Sequence, residues 1–323
     1  YFFYLISLFL IGSGMAMLQV AINPLLRVTG GEKEFAFNSV LGQLFFGLAS
    51  FISPLVYTYL VINKNQPSSF ITRLIKNITI PNLEWISLYW IFAIISLAMV
   101  FLIMISNFPK VERKEDEKSG AIETHLLLLK KPMVLLYFLA IFCYVGTEQG
   151  VANWISQFLA LYHDIDPQVQ GAKTISNFWG MMTLGTLLGL LLLKFLDSRK
   201  VLIVTSVGTI FFLIAALFGT TQQALIAFPL IGFFIATMWS IIISLALNSV
   251  AEAHGSFSGI LVTGIVGGAL VPFIVGALGD VFGLKIGMLF LLITLSFILS
   301  IGFWSKPLIN NETLLSTSRK KNQ

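Results

Sequence analysis

Glu148 is the one acidic side chain set deep within any of the long apolar runs of this 323-residue chain, roughly 22 Å of helix from Met133 at 1.5 Å per residue. An ionisable group at bilayer depth is costly and usually marks a pathway, so its carboxyl is a candidate for cation coupling, as an exchangeable proton carrier. The bland alternative is a hydrogen-bonded acid that locks two helices together. At 100° per residue, Gln149, Asn153, Ser156 and Gln157 share one arc of roughly 100°, with Glu148 at its edge. Their amide and hydroxyl groups can donate to and accept from several hydroxyls of one solute at once. The same stripe could equally be polar glue between helices.

Further polar groups interrupt other runs. Gln19, Asn23 and Arg27 stand at i, i+4 and i+8, with Arg27 read as an interfacial anchor. Ser39, Gln43, Phe46 and Ser50 share one helical face. Thr237, Ser240, Ser244 and Asn248 lie within roughly 80° of one another, and Trp239 points the opposite way. That stripe predicts a cavity-lining or tightly packed face. Asn177 and Trp179 open another run, where a Trp reads most simply as part of the aromatic belt.

The elements that must position these groups are membrane helices. Hydrophobic residues make up 57% of the chain and charged residues 11%, against about 25% charged in a soluble domain. The mean hydropathy is +0.89. Nine apolar runs are long enough to span a bilayer: 2–27, 36–62, 84–107, 133–161, 173–195, 200–218, 223–249, 256–281 and 285–305. Strand-like alternation is absent, which excludes a membrane barrel. Of the twenty Lys and Arg, fifteen fall on one side of these runs and five on the other. The richer side, with the 108–132 loop and the C-terminus, is expected to be cytoplasmic. The net charge of +5 therefore has its source in loop asymmetry, and no nucleic-acid partner is implied. Cys143 is the single cysteine, so no disulfide framework exists. His125, His163 and His254 lie in separate loops without metal-ligand spacing. No cofactor is expected, and an embedded enzyme is a remote reading.

The polar segment 110–132 mixes both signs of charge and separates three runs from six. Its 121–130 part could form a short amphipathic helix at the membrane surface. The expected organisation is 1–107 as half of a first bundle, 108–132 as connector, 133–306 as a six-helix bundle and 307–323 as a tail. Gly14 to Pro54 and Gly232 to Pro272 are both steps of 40 residues, related by a shift of 218. This internal repeat matches the first and second runs to the seventh and eighth. The chain opens at YFFYLISLFL, already helical, and the repeat leads to the expectation that three further spans precede it.

The segments GSGMAMLQVAINPLL (12–26) and FNSVLGQLFFGLASFISP (37–54) resemble the fourth and fifth helices of the fucose/galactose/glucose:cation symporters. YVGTEQGVANWISQFLALYH (144–163) and GSFSGILVTGIVGGALVPFIVGALGD (255–280) look like the seventh and eleventh. That family is a branch of the major facilitator superfamily. The resemblance implies an all-α fold of two six-helix bundles, nine of its twelve helices being present here. It implies import of a hexose or amino sugar with a proton or sodium ion, by a monomer set in the lipid of a bacterial inner membrane.

Carried over by position, Gln19 falls where the fucose type has a coupling Glu, while Asn23 and Gln43 match retained positions. Phe46 replaces a sugar-contacting Asn, and Asn38 lies near where relatives carry Arg. ATMWSIII and Gly185-Thr186 depart from the family's patterns in later helices. Gln19, Asn23, Gln43, Phe46, Gln149, Asn153 and Gln157 are thus the expected sugar contacts. The run Asp197, Arg199 and Lys200 resembles the superfamily's charged gating loop. A sugar sensor that kept the fold but lost coupling is the alternative that Gln19 leaves open.

Overall fold

The computed structural model describes residues 2–31, 33–62, 86–105, 122–251 and 253–309. Most of the expected connector, the Asn77-Ile78-Thr79 sequon and the tail from residue 310 lie outside the described residues. Those described form helices and short turns, with no strand among them. The helices are α1 (Phe2–Gly30), α2 (Phe35–Ile62), α3 (Ile86–Ile105), α4 (Ile122–Leu129), α5 (Pro132–His163), α6 (Ala172–Phe195), α7 (Ser198–Phe218), α8 (Thr221–Ile235), α9 (Met238–Leu247), α10 (His254–Thr263), α11 (Gly267–Phe282) and α12 (Leu284–Trp304). Among the described residues, eight helical segments are long and apolar enough to cross a membrane. The third expected run, 84–107, is helical over Ile86–Ile105.

Local chemistry sets the ends of these helices. Pro132 opens α5, where its missing N–H costs nothing, and Asp164 ends it in the left-handed region at φ 53°. The Asp197 carboxylate accepts from the Arg199 N–H and caps α7. Thr220 and Gln223 exchange side-chain and backbone bonds in a capping box at the start of α8. Gly283, at φ 90°, turns the chain between α11 and α12 in a conformation that a side chain would strain.

Two expected spans are not single helices. The seventh breaks between α8 and α9 at Ala236 and Thr237. The eighth tightens to a 3₁₀ turn over Gly264–Val266 between α10 and α11. The second break lies against α5, where Gly267 lets the backbone come close to the Phe142 carbonyl, a space that any Cβ would fill. Across α6 and α8, Gly185 and Gly232 meet the Phe233 and Phe178 carbonyls in the same way.

By its contacts the chain divides into one unit of Tyr1–Gly47 with Glu112–Gln323, and another of Leu48–Val111. The core of the first lies around α5, α8 and α9, where Tyr137, Tyr144, Phe158, Phe178, Phe228 and Phe257 are fully buried. Outward-facing Phe211, Phe273 and Ile293 are exposed, as side chains bathed in hydrocarbon would be. In the second unit α3 is an uncharged, strongly apolar helix, with Phe101, Met104 and Ile105 exposed.

Candidate functional site

The centre of α5 holds the buried acid. Glu148 is 5% exposed, and both of its carboxyl oxygens are engaged. The Tyr144 hydroxyl, one turn back, donates to Oε2, and the Gln149 amide donates to Oε1 at 3.1 Å. One strong acceptor group thus meets one donor on each oxygen. The Tyr144 ring is itself fixed by burial and by the Trp239 ring of α9, 6.0 Å away between centroids. Trp239 is only half-buried, whereas Thr237, Ser240, Ser244 and Asn248 are buried. The hydroxyl stripe is therefore the packed face of α9, and the indole marks its open one. Among the described residues, the Thr237, Ser240 and Ser244 hydroxyls have no hydrogen-bond partner.

The polar arc on α5 divides by exposure. Glu148 sits behind it, Gln149 is half-buried, and Asn153 and Gln157 are exposed. Ser156 turns away to donate to the Pro167 carbonyl at 3.4 Å, holding the one-turn π segment Pro167–Gly171. Gln157 borders a cavity of about 360 Å³ that Trp154, Leu161, Tyr162 and Asp280 also line. The Trp154 indole N–H donates to the Pro272 carbonyl at 3.1 Å, so α11 holds this wall in place.

The candidates on the first two helices are less free. The Asn23 amide donates to the Gln19 carbonyl of its own helix at 3.0 Å, and Asn23 is 4% exposed. Gln19 Oε1 is buried without a partner among the described residues. Gln43 is half-buried, and the side chain of Phe46 lies outside the described part of the structure. Among the described residues, no hydrogen bond joins the amides of Gln19, Asn23 or Gln43 to those on α5. The structure brings Glu148 and Gln149 together but does not link them directly to this second set.

Arg27, expected as an interfacial anchor, is engaged inside the protein. It is 5% exposed, and its Nε donates to the Asn248 carboxamide oxygen at 3.3 Å. Asn248 ends α9, where the partial negative charge of the last carbonyls favours a guanidinium. Nearby contacts at this end join the same early helices to later ones. Lys194 Nζ lies 5.1 Å from the Phe37 ring centroid, and Val20 and His125 close over Gly259 of α10. The charged run makes a local pair instead: Arg199 Nε meets Asp197 Oδ1 at 3.1 Å, and Lys200 is exposed.

Residue-by-residue reading missed Tyr144 and the buried role of Arg27. Tyr144 stands at i−4 from Glu148, a spacing that puts both on one helical face and could have found it. Arg27 pairs with a residue 221 positions away, which no local pattern reveals.

Known proteins share this arrangement of helices. The sequence profile of the Major Facilitator Superfamily matches residues 1–272. The glucose/galactose transporter of Brucella abortus is 30% identical over 308 residues, which cover 92% of this chain and 70% of that protein. The L-fucose-proton symporter of Escherichia coli is 24% identical over 302 residues, covering 88% of this chain and 67% of the symporter. The crystal structure of FucP, a Major Facilitator Superfamily transporter, in the outward conformation superposes with a TM-score of 0.80 at 23% identity, over 95% of this chain and 77% of that one.

Proposed function

Because the chain belongs to the major facilitator superfamily, in its branch of fucose/galactose/glucose:cation symporters, we propose that it imports a small sugar together with a cation by alternating access. The observation that carries this reading is the buried Glu148, held by Tyr144 and Gln149 beside an open row of amides on α5. A charge at that depth is tolerated where it serves a pathway. In this reading Glu148 is the coupling acid, and Gln149, Asn153 and Gln157 are the sugar contacts of α5. Gln19, Asn23, Gln43 and Phe46 would contribute from the first bundle. The names of relatives, a glucose/galactose transporter and an L-fucose-proton symporter, direct the choice toward hexoses and a proton.

The proposed organisation keeps 1–107 as part of one bundle, 108–132 as connector and 133–306 as the other. The protein would work as a monomer in a bacterial inner membrane, with its C-terminus in the cytoplasm. On that orientation the Arg27–Asn248 contact closes the cytoplasmic end, and the run of Asp197, Arg199 and Lys200 lies beside it as a gating loop.

Uptake of glucose, galactose and fucose into proteoliposomes, under imposed proton or sodium gradients, tests the reading. Gradient-driven accumulation is expected with one of the two cations, and its absence for every sugar would sink the proposal. Glu148→Gln is expected to abolish accumulation while leaving sugar exchange. Undiminished accumulation in that variant removes Glu148 from coupling. The Gln at position 19 leaves open a second reading, a sensor that binds sugar without coupling; binding with no counterflow would favour it.

A further inference from the structure

The two oxygens of Glu148 are not equivalent. Oε2 is held by the Tyr144 hydroxyl, whose ring is buried and backed by Trp239. Oε1 is held by the Gln149 amide, which is half-buried and lies between the acid and the open face of α5. Opposite it stands Gly268 of α11, where a Cβ would come within 3.2 Å of Gln149 Cγ. The glycine leaves this side chain its space. Tyr144 is the one titratable group that touches Glu148 among the described residues. Around this stretch of α5, α9 contributes Trp239, α11 contributes Gly267, Gly268 and Val271, and α12 contributes Leu291 and Thr294, none of them charged.

A side-chain amide has a donor end and an acceptor end. Facing an ionised carboxylate it must present its NH₂, as here. Facing a protonated carboxyl it is better placed the other way round, with its carbonyl oxygen accepting from the new O–H. We propose that Gln149 is a positioning residue that relays the protonation of Glu148 to the sugar by turning over its amide. The inference rests on the reading of Glu148 as the coupling acid. A proton from water enters at Oε1, because Tyr144 occupies Oε2 as donor in both states. The Gln149 amide then rotates about its terminal bond, accepts from the carboxyl O–H and turns its NH₂ away from the acid, toward the open face of α5. Departure of the proton to water on the other side reverses the turn.

The two states present different groups to a sugar. Hydroxyls both donate and accept, so they tolerate either end of the amide. The ring oxygen of a pyranose only accepts, and it is matched only when the NH₂ faces away from the acid. Protonated carrier and sugar therefore favour one another, which is the linkage that symport needs.

The test uses the full-length protein with galactose and glucose as probes. Wild-type affinity for the transported sugar is expected to tighten on going from neutral to acidic pH, by about tenfold for a coupling of ordinary size. Gln149→Met keeps the side chain's length but removes both hydrogen-bonding ends. It is expected to flatten that dependence, and Glu148→Gln is expected to abolish it. Infrared difference spectra supply a readout that needs no sugar: the carboxyl C=O band lost in Glu148→Gln should shift in Gln149→Met. A Gln149→Met protein with the wild-type pH dependence, or with an unmoved carboxyl band, overturns the relay while leaving Glu148 as coupling acid. If Glu148→Gln itself keeps the pH dependence, that assignment of Glu148 fails and the relay fails with it.

Discussion

At the scale of the residue, the site is a carboxyl group whose two hydrogen-bond donors are both supplied by its own helix. Tyr144 and Gln149 are both on α5, so the local sequence already contained the acid and its two donors. Tyr144→Phe deletes one charge-assisted hydrogen bond and is expected to cost about 1.5–3 kcal/mol of stability at neutral pH. In a Glu148→Gln background the same change should cost less, because a neutral amide is a weaker acceptor. Thermal unfolding of the four proteins in detergent measures the difference, and strictly additive effects would show that the hydroxyl does not support the carboxylate. Legibility varied with how local the cause was. Glu148 was readable because a lone acid in a long apolar run is conspicuous. The capture of Asn23 by the Gln19 carbonyl was not, since an amide one turn from another residue can point to backbone or to cavity with equal ease.

At the scale of the element, hydrophobic runs and membrane helices agree closely, but the breaks within two helices do not follow from the runs. The stretch 223–249 reads as one continuous membrane-length run, yet its helix is interrupted at Ala236 and Thr237. The 3₁₀ turn at Gly264–Val266 sits where backbone crowds against α5, a circumstance that hydropathy does not register. The same breaks separate α9 and α10 from the longer helices on either side. Arg27 then holds the end of α9 to α1 through Asn248. Arg27→Ala removes a charged donor from a buried contact, a loss of about 1.5–3 kcal/mol. That loss is expected to open this end more often, so a cysteine introduced by Ala253→Cys should react faster with a membrane-impermeant maleimide applied to that side. Equal rates with and without Arg27 would show that the contact does not keep this end closed.

At the scale of the whole molecule, the spans of a multi-pass protein alternate across the membrane, and the charge asymmetry is the argument for which side is cytoplasmic. Lys200 stands in the first turn of α7 and Lys306 follows α12, which the alternation puts on one face, with Lys285 on the other. Single cysteines at these three positions are expected to label from the cytoplasm, the cytoplasm and the outside respectively. Labelling of the Lys200 and Lys306 positions from opposite faces would contradict the alternation itself; labelling of all three with the sides exchanged would contradict only the charge argument.

The amino-acid sequence by itself determined that this is a helical membrane protein, where its spans run, and that one buried acid and a row of amides are its candidate chemistry. Those properties follow from composition and period along the chain, because a bilayer core demands long apolar helices with satisfied backbones. Tertiary structure decided which polar groups meet. It gave the Tyr144 ring its backing by Trp239, opened the space for Gln149 opposite Gly268, turned the hydroxyls of α9 inward, and buried Arg27 against Asn248. Apart from the Tyr144, Glu148 and Gln149 bonds within α5, these contacts join residues on different helices. Their partners are chosen by how the helices pack, which periodicity along a single helix does not encode.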